Sequence, residues 1–109
     1  MEKMPSSIKV GPHVYAVILT PTSGMPPVSD EDDRKCLGTC EFDKLIIRIK
    51  KGLRKSKAQE TLWHEIQHAC TYPELIDTTA TDERFIDYTS SSLLGVIKDN
   101  PDLIRYLTS

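Results

Sequence analysis

One stretch constrains the fold of this chain more than any other, because the residues from Ser56 to Thr71 carry a helix start, a helical repeat and a helix stop in succession. Ser56-Lys57-Ala58-Gln59 matches a capping box, in which the serine oxygen accepts from the third helical amide and Gln59 reaches back to the Ser56 amide. Leu62, Trp63, Ile66 and Ala69 then recur at helical spacing, with Trp63 read as core, until Pro73 restricts Tyr72 and breaks the pattern near Thr71. A β-branched run, Leu45 to Lys50, precedes this helix and ends at Gly52. Lys44, Arg48, Lys50 and Lys51 flank or interrupt it, which predicts an edge-proximal strand guarded by cations.

Elsewhere the patterns are shorter. Ile8 to Thr20 mixes β-branched and aromatic residues, predicting a strand or a pair of short strands around Gly11-Pro12. Between Pro21 and Arg34, Pro-Thr-Ser-Gly-Met-Pro-Pro leads into Asp30-Glu31-Asp32-Asp33, which reads as an acidic surface loop. The acids lack the glycine and distal glutamate of a calcium loop, so they read as a solvated charge run. A second helical pattern runs through Phe85, Ile86, Thr89, Leu93, Val96 and Ile97, with Thr79 or Thr81 as its cap. Asn100-Pro101 stops it and opens a last short helix over Asp102 to Leu107, with Asn100 as cap and Pro101 in the first helical position.

A chain of 109 residues fits one domain, so any active site must be built within it. Fourteen basic against sixteen acidic side chains leave a net charge of -2, which provides no overall field for a phosphate backbone or an anionic membrane. The expectation is no nucleic-acid partner and no membrane partner. Val14 to Leu19, the longest apolar stretch, is too short to span a bilayer, and no secretory leader is evident, which predicts a cytoplasmic location. Three cysteines, Cys36, Cys40 and Cys70, make no disulfide framework and predict free thiols. Cys36 and Cys40 form a CxxxC too sparse for a structural zinc site, and Cys70 reads as a small apolar filler.

The chemistry concentrates in His64-Glu65-Ile66-Gln67-His68. Histidines four apart on a helix lie on one face about a turn apart and can converge on one ion. Zinc takes imidazole nitrogens at about 2.0–2.1 Å, and a catalytic site uses three protein ligands and one open position. Glu65 is about 100° round the helix from His64, poorly set to share the metal but able to take a proton from a metal-activated water. The third ligand is expected from the second helix, with Glu83 favoured over Asp82 and Asp77, since a carboxylate in a first helical turn also suits the helix dipole. Asp87, one turn on, could accept the Nδ1 proton of a ligating histidine. Tyr72, Tyr88 and His13 have the chemistry of an oxyanion donor, although a tyrosine near a helix end is more often half-buried packing with a wet hydroxyl and His13 beside Pro12 more often a turn residue.

These residues carry a family resemblance. His64-Glu65-Ile66-Gln67-His68 followed by Glu83-Arg84-Phe85-Ile86-Asp87 resembles the gluzincin pattern, HExxH then ExxxD, whose glutamate is the third zinc ligand. The stretch from Gly38 to Leu107 resembles the small phage and bacterial metallopeptidases related to the ImmA/IrrE group. The resemblance implies an α+β fold, a small twisted sheet packed against the HExxH helix and a second helix, a minimal zincin-like domain; the strand and helix expectations above agree. It also implies a Zn2+ cofactor and a zinc-dependent peptidase with Glu65 as general base. A protein or peptide substrate could dock as an added strand along Leu45 to Lys50. The alternative is a regulatory or partner-binding protein that holds the metal and cuts nothing.

Overall fold

The computed structural model describes the backbone of residues 3–29, 31–71 and 82–109, and the side chains of those ranges except 32–33 and 82–88. It is an α+β fold. Among the described residues, six strands, β1 (Ser7–Val10), β2 (His13–Thr20), β3 (Pro27–Ser29), β4 (Asp32–Lys35), β5 (Gly38–Glu41) and β6 (Ile46–Lys50), precede three α-helices, α1 (Lys55–Thr71), α2 (Asp82–Asp99) and α3 (Pro101–Leu107). The main sheet has the order β1-β2-β6-β5, and β3 with β4 forms a separate ribbon.

The first strand pattern resolves into a hairpin. Val10 pairs with His13 across Gly11-Pro12, and Gly11 takes φ +59°, a left-handed conformation that suits a residue without Cβ. β2 then pairs with β6 in parallel, from Ala16 opposite Ile46 to Thr20 opposite Lys50. Parallel neighbours need a long connection, and here residues 21–45 supply it, carrying the β3–β4 ribbon and β5 on the way.

Two expectations are corrected in that connection. The span 21–34 is no plain loop: it holds a 3-10 turn at Thr22–Gly24 and the strands β3 and β4, and Met25 is 2% exposed. An isolated apolar residue in a run of turn formers carries no periodic signal, so its burial was invisible in the sequence. More consequentially, β6 is not an edge strand. It lies between β2 and β5, with Ile47 and Ile49 fully buried against the helices, while Arg48 emerges on the opposite face and pairs with Glu41 at 2.7 Å. The cations mark the solvent face of the sheet, and the terminal strand on that side is β5.

α1 begins at Lys55, with the Ala58 amide already bonded to the Arg54 carbonyl, so Ser56 sits inside the first turn and the capping box does not form. Gln59 is used instead to donate to the Tyr106 carbonyl at 2.8 Å near the end of α3. Leu62, Ile66, Ala69 and Cys70 face the core with Ile8, Tyr15, Val17, Ile47 and Ile49, and Trp63 packs partly buried beside them. The expected caps Thr79 and Thr81 lie outside the described residues.

Asn100 ends α2 and precedes Pro101 as the sequence predicts, but its side chain makes no cap bond to α3. Its Oδ1 accepts from the Lys9 amide at 2.9 Å, and its Nδ2 donates to the carbonyls of Lys9 and Val96, each at 2.8 Å. One amide thus completes the outer edge of β1 and satisfies a carbonyl in the last turn of α2. Asn100→Ala is expected to cost about 1–2 kcal/mol in urea unfolding, and Asn100→Asp more than that, because a carboxylate would face two carbonyl oxygens. A smaller loss for Asp than for Ala would show that the amide is not acting as a donor.

Candidate metal and catalytic site

The apolar face of α1 sets the position of its polar face. With Leu62 and Ile66 fully buried, His64 and His68 turn outward and both are exposed. Their rings meet edge to face with centroids 4.7 Å apart, and the two Nε2 atoms approach to 3.1 Å. A tetrahedral zinc site holds two imidazole nitrogens roughly 3.3–3.4 Å apart, as follows from Zn–N distances of about 2.0–2.1 Å. The observed separation is close to that spacing, and it equally fits an Nε2–H···Nε2 hydrogen bond between the two rings.

Glu65 lies at the border between the polar and apolar faces and is only 6% exposed. Burial pushes its carboxyl pKa up, an effect the neighbouring His64 and His68 partly oppose. A carboxylate with raised proton affinity beside a histidine pair is suited to taking up a proton and giving it back.

β5 makes this arrangement possible through a residue that the motif does not announce. A β-carbon built on Gly38 would lie 2.7 Å from Thr61 Cγ2 and 3.1 Å from both Cγ and Oε2 of Glu65. Thr61 cannot easily yield, because its hydroxyl donates to the Lys57 carbonyl at 2.7 Å and fixes its rotamer. Only glycine lets the strand pass this close to the helix. The Lys50 amide bonds to the Leu37 carbonyl at 2.8 Å, and Gly38 and Cys40 pair with Ile49 and Ile47. By the alternation of an antiparallel ladder, the backbone groups of Gly38 and Cys40 face the open edge. No pattern rule would have found Gly38, since its constraint comes from a helix residues away in sequence.

Two clefts meet at His64. One, of about 280 Å³, lies on the β5 side and is lined by Gly38, Lys57, Glu60, Thr61 and Glu65 among others. The other, of about 270 Å³, lies toward α2, where Thr89 and Leu93 face His64 and His68. Among the described residues no group of three or more His, Cys, Asp or Glu could hold a metal. Glu83, Asp87 and Tyr88 have their backbone in α2, Glu83 in its first turn, but their side chains lie outside the described residues. Tyr72 and the rival ligand Asp77 lie outside them altogether, and the side chain of Asp82 does too. His13 is exposed at the β1–β2 turn, two strands away from β5, and lines neither cleft.

All three cysteines are free. Cys70 is buried in the core, which pushes its thiol up to about 11, and Cys40 is pushed up to about 12, by burial first and then by Glu65. Both are protonated near neutrality and behave as small apolar groups.

No family model, no curated protein and no solved structure matches this chain.

Two outcomes follow from this geometry. Gly38→Ala is expected to destabilise the fold by about 1–3 kcal/mol, the usual cost of overpacking, measured by urea unfolding; a neutral result would mean that β5 can retreat from α1. Native-state alkylation at pH 8, read by mass spectrometry, is expected to spare Cys40 and Cys70, both of which become reactive in urea. Rapid labelling of Cys40 in the folded protein would contradict its raised pKa.

Proposed function

We propose that this chain is a zinc-dependent peptidase, acting in the cytoplasm, in which His64, His68 and Glu83 hold the metal and Glu65 is the general base. The observation that carries the reading is the approach of the two Nε2 atoms to 3.1 Å beside the buried carboxylate of Glu65. The resemblance to gluzincins of the ImmA/IrrE type supports Glu83 as third ligand, and its position in the first turn of α2 agrees with that role. Zinc held there would supply Lewis-acid polarisation of a peptide carbonyl and a more acidic water.

The protein's own groups account for the remaining chemistry. Glu65 takes a proton from the attacking water and passes it to the leaving amine, and its raised proton affinity suits both transfers. The open backbone groups of Gly38 and Cys40 hold an extended peptide along β5 as an added strand, in place of the docking on Leu45 to Lys50 that the sequence suggested. Gly38 brings that strand alongside Glu65. Binding through the main chain positions the scissile bond with little demand on side chains remote from the metal.

The deciding experiment is zinc content by elemental analysis together with cleavage of a broad peptide mixture, for the wild type and for Glu65→Gln. One zinc per chain in both proteins is expected, with cleavage reduced at least about a hundredfold in the variant. Equal zinc without cleavage by the wild type would favour a metal-binding regulatory protein, and no zinc in either would refute the proposal. Glu83→Ala is expected to lose zinc while leaving the fold intact by circular dichroism.

A further inference from the structure

The chain carries a charge asymmetry that neither the histidine pair nor β5 explains. Seven of its fourteen basic residues fall between Lys44 and Lys57, and all sixteen acids lie outside that span. Three of the seven have partners: Lys44 and Arg48 pair with Glu41, and Lys57 pairs with Glu60. Lys50, Lys51, Arg54 and Lys55 form no ion pair with any described residue, and all but the half-buried Lys50 are exposed. Gly52, at φ +87°, lets the chain reverse from β6 into α1 within a few residues, so strand end and helix start gather these cations at one end of the molecule. Their placement is locally unfavourable. Arg54 precedes α1, Lys55 and Lys57 stand in its first turn, and no acid shares that turn, so positive charge meets the positive end of the helix dipole.

From this cationic end we infer a docking surface for a run of acidic residues on a protein partner, and the cleft beside it names that partner as the substrate of the site. Only this last step rests on the peptidase reading. β5 begins where β6 ends, since the Leu37 carbonyl accepts from the Lys50 amide at 2.8 Å and Gly38 pairs with Ile49. The β5-side cleft extends from His64 and Glu65 to Cys36, Leu37 and Lys57, so a peptide lying along β5 leaves the histidine pair toward the cations. Lys57 belongs to both the cleft and the cationic end. An acidic segment there gains charge complementarity from Lys50, Lys51, Arg54 and Lys55, and it offsets the repulsion at the start of α1. A short acidic segment fits this surface better than a nucleic acid. A phosphate backbone is charged along its whole length, and beyond this end it would meet the rest of the chain, where sixteen acids outnumber seven basic residues.

The test uses the full chain in its zinc-loaded form. Glu65→Gln is titrated with fluorescein-labelled peptides that share a neutral core and carry at either end a run of glutamates or, as control, an equal run of glutamines, so that anisotropy reads binding without turnover. A glutamate peptide is expected to bind about tenfold or more tightly than its control, and the difference to fade as salt rises from about 0.1 M to about 1 M. Lys51→Glu with Lys55→Glu is expected to abolish the preference, whereas Lys3→Glu with Lys98→Glu, an equal change of charge at exposed positions elsewhere, keeps it. Lys55→Glu also relieves the conflict with the helix dipole, so its urea midpoint is expected to hold or rise, which separates lost docking from lost folding. In cleavage by the wild type, the acidic run at the end that meets the cations lowers KM about tenfold with little change in kcat, the signature of binding remote from the reacting atoms. Equal binding of glutamate and glutamine peptides, or equal loss in both double variants, would overturn the surface. Tighter binding of a single-stranded oligonucleotide than of any glutamate peptide, lost in the Lys51 and Lys55 variant, would reassign the surface to nucleic acid and overturn the partner. Selective binding of a glutamate peptide without cleavage of any peptide would uphold the docking surface and refute the peptidase reading alone.

Discussion

The packing of α1 on the sheet sets everything else. Leu62 and Ile66, one turn apart, are fully buried with Ile47 and Ile49 of β6, and this contact fixes the rotation of the helix about its axis. Because an α-helix turns about 100° per residue, burying those two side chains exposes His64 and His68 and leaves Glu65 on the boundary. A rotation by one position in one sense would bury both histidines, and in the other would lift Glu65 into water. Core formation and site formation are thus one event.

Glu65 shows where that economy has a cost. A carboxyl group 6% exposed is harder to ionise, and the raised pKa expresses that directly. Gly38 belongs to the same compromise, since a glycine stands in a strand, where it stabilises poorly, so that β5 can lie against Thr61 and Glu65. Two locally unfavourable choices on neighbouring elements converge on the carboxyl group to which we assign the proton transfers, the pattern expected where function outweighs stability.

Far from the histidines, single polar side chains hold the helices in register. Asn100 ties the end of α2 to β1, and Gln59 ties α1 to the last turn of α3. Both residues look like helix caps in the sequence, and both spend their amides on tertiary contacts instead. Earlier in α2, Thr89 and Leu93 line the cleft that this helix shares with His64 and His68.

Local patterns were enough to specify α1, the stop at Asn100-Pro101, the strands around Gly11-Pro12 and the apposition of His64 with His68, because each depends on neighbours within a turn or a hairpin. The motif also singled out Glu65, although nothing in the motif shows that its carboxyl is buried. Strand order was not legible: β6 looked like an edge because its cations were read along the strand, whereas they project from the open face of the sheet and β5 takes the edge. β5 itself, with a glycine, a threonine, a cysteine and a glutamate, has no periodic apolar signal, and the role of Gly38 exists only once a strand and a helix are brought together. Short-range geometry is written in adjacent residues, but which edge stays open and how closely two elements approach are settled by contacts between segments that the chain brings together only on folding.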